Sequence, residues 1–139
     1  MAIYVLTNAG VVVNGATLSD HVESVTIQQN ADDVDITAMG AVAHAHTPGL
    51  RDDKITVNFY QDFAAGEVDA TLSAAVGLAA GGTITVYSNG TSASSTNPKW
   101  TLPFVLLDYS PLDGKVGAAS MTQVTFVPSA GTSIVRGTA

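Results

Sequence analysis

The chain has no cysteine, so disulfide staples and thiolate metal sites are both excluded. It has little charge of either sign: 12% of its 139 residues are charged, against about 25% in an ordinary globular domain. Bases are scarcer than acids, 5 Lys and Arg against 12 Asp and Glu, for a net charge of −7. That balance argues against binding nucleic acid by phosphate neutralisation. No apolar run approaches the roughly 20 residues that a membrane helix requires. Met1 to Gly10 lacks the basic start of a secretory leader, so the expectation is a soluble protein made in a cytosol. Asn89-Gly90-Thr91 matches a glycosylation triplet and is read instead as a turn.

What remains is 46% apolar, and the rest is rich in Ser, Thr and Gly. The length suits one domain with a substantial core. A folded surface with so little charge is suited to meeting protein.

Alternation of period two marks half-buried strands. Val25 and Ile27 oppose Ser24, Thr26 and Gln28; Val34, Ile36 and Ala38 oppose Asp33, Asp35 and Thr37. Ile55, Val57 and Phe59 oppose Thr56, Asn58 and Tyr60, and Thr122, Val124 and Phe126 share one face of a further strand. Shorter strands are expected at Ile3–Leu6, Val11–Val13 (before an Asn14-Gly15 hairpin turn), Thr83–Tyr87 and Ile134–Val135. Trp100–Tyr109 reads as a strand buried on both faces, with Pro103 marking an edge or a bulge. Between about 67 and 80, Val68, Leu72, Ala75, Val76 and Ala79 recur at helical spacing, with Gly81-Gly82 as the stop and Gly77 as a costly interior residue. Ser88–Pro98 is a polar loop. The expected architecture is mainly β: a β-sandwich or barrel of seven to nine strands with one flanking helix, forming a single domain over 1–139.

Met39 to Asp53 breaks the rhythm. A connection of that length without periodicity is unusual in a compact domain and is commonly functional. Its apolar content argues against free disorder, and it is the candidate self-assembly loop. The residues singled out in it are Met39, Gly40, Val42, His44 and His46, followed by Pro48, Gly49, Leu50 and Arg51.

Sites of chemistry are weakly represented. His44-Ala45-His46 places two rings on one side of an extended segment, but no spacing supplies the remaining zinc ligands, and loop histidines at a contact surface are the simpler reading. Asp33-Val34-Asp35 begins like a calcium loop, yet Ala38 and His44 stand where glycine and glutamate are needed. No G-x-S-x-G is present, no carboxylate pair is evident, and Gly81-Gly82-Thr83 and Gly114-Lys115 are too sparse for a phosphate loop. No enzymatic activity, cofactor or metal is expected.

Five segments, in this order, carry a resemblance: VDITAMG from Val34, PGLRD from Pro48, KITVNFYQDFAAGEVDAT from Lys54, DYSPLDGKVG from Asp108 and SMTQVTFVP from Ser120. Over about Asn14 to Arg136 the chain resembles the major tail tube protein of long, non-contractile-tailed bacteriophages. The resemblance implies a virion protein, made in the bacterial host, that forms stacked rings, typically hexameric. Their sheets join into an inner barrel, with the helix outside. Its partners would be further copies of itself, the tape-measure protein and the tail-tip or initiator proteins. Genomic DNA would pass through without specific binding, and no membrane would be involved. Under this reading residues 39–53 and the terminal arms contact neighbouring copies, and Asp33 and Asp35 are candidate lumen carboxylates. Two other readings stay open: a β-sandwich binding or decoration module on a virion or cell surface, and a tail-completion protein forming one ring.

Overall fold

The structure is a computed structural model and describes residues 3–139. Met1 and Ala2, the start of the expected N-terminal arm, lie outside the described residues. In chain order the strands are β1 (Gly10–Val13), β2 (Ala16–Thr17), β3 (Val22–Gln28), β4 (Ala31–Asp35), β5 (His46–Arg51) and β6 (Lys54–Tyr60). Helix α1 (Val68–Ala75) follows, then β7 (Gly82–Tyr87), β8 (Lys99–Val105), β9 (Met121–Pro128) and β10 (Val135–Gly137). Eight strands form one antiparallel sheet in the order β2-β1-β7-β8-β9-β6-β3, with β10 alongside β8; β4 and β5 form a separate two-stranded hairpin. The protein is therefore mainly β with one helix, as its alternating pattern leads one to expect.

The large sheet folds over on itself at the β8–β9 junction, which is only two residue pairs long: Phe104 with Pro128 and Val105 with Val127. One wing contributes Val11, Val13, Ile84, Val86, Leu102 and Phe104 to the core, and the other contributes Ile55, Val57, Phe59, Val124 and Phe126. Phe104 and Phe126 meet edge to face with ring centroids 4.8 Å apart, the favoured aromatic geometry. Every residue just named is essentially sealed from water. At about 25 cal/mol per Å² of apolar surface, burial of side chains this large is the dominant favourable term.

Local signals explain the connections. Asn14 (φ 50°) and Gly15 (φ 82°) make the expected turn between β1 and β2. Pro103 falls where β8 changes partner, after its β10 pairs at 99–101 and before its β9 pairs at 104 and 105, so its missing N–H breaks no ladder. Its carbonyl accepts the N–H of Ser129 at 3.0 Å.

Four expectations need correction. The helix is shorter than 67–80: it closes at Ala75, and Gly77, expected to be interior, is the left-handed residue (φ 78°) that ends it and donates to the Leu106 carbonyl at 3.0 Å. Val68, Leu72 and Ala75 are buried as the spacing requires, but Val76 is already outside the helix and partly exposed. Ile3–Leu6 belongs to no strand among the described residues. The strand at 100–109 ends at Val105, and only Leu102, Phe104 and Leu106 are fully buried, so one face is sealed and not two. The fourth concerns the segment around β4 and β5.

Candidate assembly surfaces

β4 has the period-two pattern of a half-buried strand, yet every one of its residues is exposed. The reason is its partner. Residues 39–53 are not an irregular loop throughout: His46–Arg51 forms β5, and β5 pairs with β4 alone. Together they make an arm standing off the large sheet. Val34 and Ile36 remain 42% and 56% exposed.

The arm is internally well tied. Asp33 faces Pro48, Val34 faces Thr47 and Asp35 faces His46. Gly49 lets the strands close over Val34, whose Cγ2 would lie 2.9 Å from any added Cβ. The Asp35 carboxylate accepts the N–H and hydroxyl of Thr37, and these bonds hold its pKa below the ordinary carboxylate value. The Thr37 hydroxyl in turn accepts the Ala45 N–H at 2.8 Å. Gly40, Met39 and Val42 occupy the tip, and both apolar side chains are fully exposed.

The histidines do not converge. His46 Nδ1 lies 2.7 Å from Asp33 Oδ1, whereas His44 Nδ1 approaches Asp35 Oδ2 at 3.5 Å, with the two rings 6.3 Å apart and tilted. Each faces its own aspartate, so Asp33 and Asp35 sit on the arm and not on the large sheet.

A residue that sequence reasoning passed over anchors the arm. Asp53 is completely buried just after β5. Oδ1 accepts the Asn30 N–H at 2.9 Å, Oδ2 accepts the Ile134 N–H at 2.8 Å, and the Arg51 guanidinium pairs with both oxygens. Burial alone would raise its pKa; the Ile134 and Asn30 amides and the Arg51 charge outweigh that and hold it below the ordinary value. Both feet of the arm and the C-terminal segment are thus fastened at one carboxylate. Beside this root, Leu50, Leu107 and the turn from Val127 to Ser133 line an open cleft of about 700 Å³. Leu50 and Leu107 are both largely exposed there.

Another polar cluster joins the start of β3 to the loop before α1. His21 Nε2 lies 2.8 Å from Asp62 Oδ2, and Nδ1 lies 2.8 Å from Asp20 Oδ1 and 3.5 Å from Glu67 Oε2. Desolvation works against protonation of this ring, and the surrounding carboxylates, Asp62 foremost, overcome it and raise its pKa. Ligand atoms of Asp20, His21 and Glu67 fall within 4.8 Å of one another, a spacing compatible with a cation. Both ring nitrogens are already engaged by carboxylates, however, as in an imidazolium bridge.

No protein-family model and no curated relative matches this sequence. Solved structures do match its fold. A chain from the virion of a native gene transfer agent particle aligns with a TM-score of 0.64 at 14% identity, covering 94% of this chain and 95% of that one. A chain from the tail of an empty gene transfer agent particle, refined with C6 symmetry, gives 0.62 at 15% identity and 94% of each chain. A chain of the anti-feeding prophage tube-terminating cap gives 0.68 at 14% identity, covering all of this chain and 95% of that one. At these identities the likeness establishes a shared fold, and it extends from end to end: the chain has the fold found in tail and tube-terminating subunits.

Proposed function

We propose that this chain is a structural tail tube subunit, without catalysis or cofactor, that builds a virion tail by assembling with copies of itself. The observation that carries the reading is the arm of β4 and β5: a firmly rooted hairpin with apolar residues at its tip that nothing among the described residues covers. Exposed apolar surface of this kind marks interaction sites, and in a closed ring such a site docks head to tail on a different patch of the next copy. Met39, Gly40, Val42, His44 and His46, with Pro48, Gly49, Leu50 and Arg51, are the contact residues of this arm. Its extent is 31–51, wider than the loop alone. Edge pairing supplies the second contact: β3 ends the sheet and, among the described residues, has β6 as its only neighbour.

Six subunits per ring is the number the C6 tail structure supports. Stacked rings would leave a lumen for DNA delivery, with tape-measure and tail-tip or initiator proteins as partners. The sequence resemblance points to long, non-contractile tails, while the fold is shared with terminators of contractile injection systems as well. Asp33 and Asp35 travel with the arm, and they reach the lumen if its aspartate-bearing side turns inward on docking.

A second reading has its own support. The two tube terminators match at a TM-score of 0.68, slightly above the tail chains at 0.64 and 0.62. A terminator would close one ring and stop. The test is to replace 32–50 with a short glycine linker, keeping Asn30, Arg51 and Asp53. The truncated protein is expected to fold and to remain monomeric in sedimentation while the intact chain assembles. Unimpaired assembly of the truncated chain would remove the arm from the account; a single ring that never stacks, from the intact chain, would favour the terminator.

A further inference from the structure

Residues 3–9 precede β1 and belong to no strand, yet Ile3, Tyr4, Val5 and Leu6 form an unbroken apolar run of strand-forming composition. All four are more than half exposed. The segment lies across the open seam of the folded sheet. Tyr4 and Leu6 share a cleft of about 270 Å³ with Val25 and Ile27 of β3 and with Val86 and Trp100 of the opposite wing. A second cleft, of about 140 Å³, is lined by residues 6–9 together with residues 22–25. The segment therefore runs beside β3, the strand that ends the large sheet.

An unpaired strand edge is a template for any other chain, and folds blunt it with charge, proline or a covering loop. Ser24 to Gln28 has neither charge nor proline, so a cover is the device left to it. Its own N-terminal segment is in place to be that cover, and it is lightly held. Both of its tethers go to the turn after β7: the Tyr4 hydroxyl donates to the Ser88 carbonyl, and the Asn8 carbonyl accepts the Gly90 N–H at 2.9 Å. Among the described residues it makes no main-chain bond to β3.

The far end of the segment is pinned. At Gly10 an added Cβ would lie 1.7 Å from the Gly90 carbonyl oxygen, so the chain passes tightly against the turn there. Release of residues 3–7 thus breaks one side-chain bond and exposes part of Tyr4 and Leu6, while β1 stays paired with β7. Local openings of this kind, with few buried contacts to lose, are the easiest in a fold. We infer that residues 3–9 are a releasable cover, which guards the β3 edge and its seam in the free subunit and moves aside when a second copy docks there; this rests on the edge pairing of the tube reading above.

Because the chain has no cysteine, a single introduced thiol reports cleanly. Val25→Cys places one beneath the segment, and Thr56→Cys, on the outward side of β6, is the control. Adding Tyr4→Phe removes the tethering hydroxyl and keeps the ring. In the dissociated subunit, labelling of Val25→Cys by N-ethylmaleimide is expected to quicken about fivefold, the factor that one ordinary hydrogen bond is worth. Labelling of Thr56→Cys is expected to stay as it was. Tyr4→Phe alone, followed by light scattering, is expected to assemble with a shorter lag and at a lower concentration than the wild type. Unchanged labelling of Val25→Cys, or equal quickening of both thiols, would show that the segment is no cover. Faster labelling with unchanged assembly would show that the cover does not govern docking. Each of these results overturns the inference and leaves the tube reading intact. If neither the wild type nor Tyr4→Phe forms tubes in electron microscopy, the tube reading fails and the inference with it.

Discussion

The carboxylate of Asp53 accepts the backbone N–H of Ile134 at 2.8 Å, across 81 residues of sequence. With the Asn30 amide and the Arg51 guanidinium on the same group, this contact ties the projecting hairpin to the C-terminal segment. Asp53→Ala would leave two buried amides without acceptors and is expected to cost about 3 kcal/mol of stability. Chemical denaturation of the purified subunit measures this directly. Since the folded pKa is depressed, the carboxylate's contribution is complete above its ordinary value of 3.8 and is lost as pH falls through the lower folded value. The acid limb of the stability profile should flatten in the alanine variant.

His21 has the opposite sign. Its folded pKa is raised above 6.5 by Asp62, Asp20 and Glu67 against the opposing desolvation, so its stabilisation is fully present below 6.5 and fades as pH rises through the folded value. His21→Gln should remove that decline. Thermal unfolding at a series of pH values above neutrality compares the two proteins.

Tyr109 donates to Asp69 Oδ1 at 2.9 Å and accepts from Gln61 Nε2 at 2.9 Å, bridging α1 to the segment after β8. Burial, with Asp69 adding to it, pushes its pKa up to about 12. An ultraviolet alkaline titration of the wild type minus Tyr109→Phe is expected to show one phenol ionising near that value. The variant should lose about 1 kcal/mol, the net worth of an ordinary hydrogen bond. A difference titration completed near the ordinary tyrosine value of 10 would contradict this half-buried, hydrogen-bonded placement.

The core strands were legible because their alternation is strict: Ile55, Val57 and Phe59 face inward, as do Thr122, Val124 and Phe126. The same rule misplaced β4. Its alternation is equally regular, but a period-two pattern records what a strand can bury and not whether anything covers it, and Val34 and Ile36 stay exposed among the described residues. β5 was hidden because Pro48 and Gly49 interrupt a pattern that only its pairing with β4 makes regular. Gly77 fits the helical spacing as a costly interior residue and is in fact the helix terminator, since a glycine's dihedral angle is invisible in sequence. Asp53 could not be found at all: its partners, Asn30 and Ile134, are brought together only by the closed fold. The row of Thr26, Thr56 and Thr125 needed the register, which places three threonines side by side from strands far apart in the chain.

A tail tube subunit must assemble into a hollow tube. Electron microscopy of the purified intact protein over a concentration series, with and without the arm truncation, tests it most directly. Hollow tubes or stacked rings of constant width are expected from the intact chain and none from the truncated one. An intact chain that stays monomeric at every concentration, and also when produced together with the other tail proteins, would contradict it.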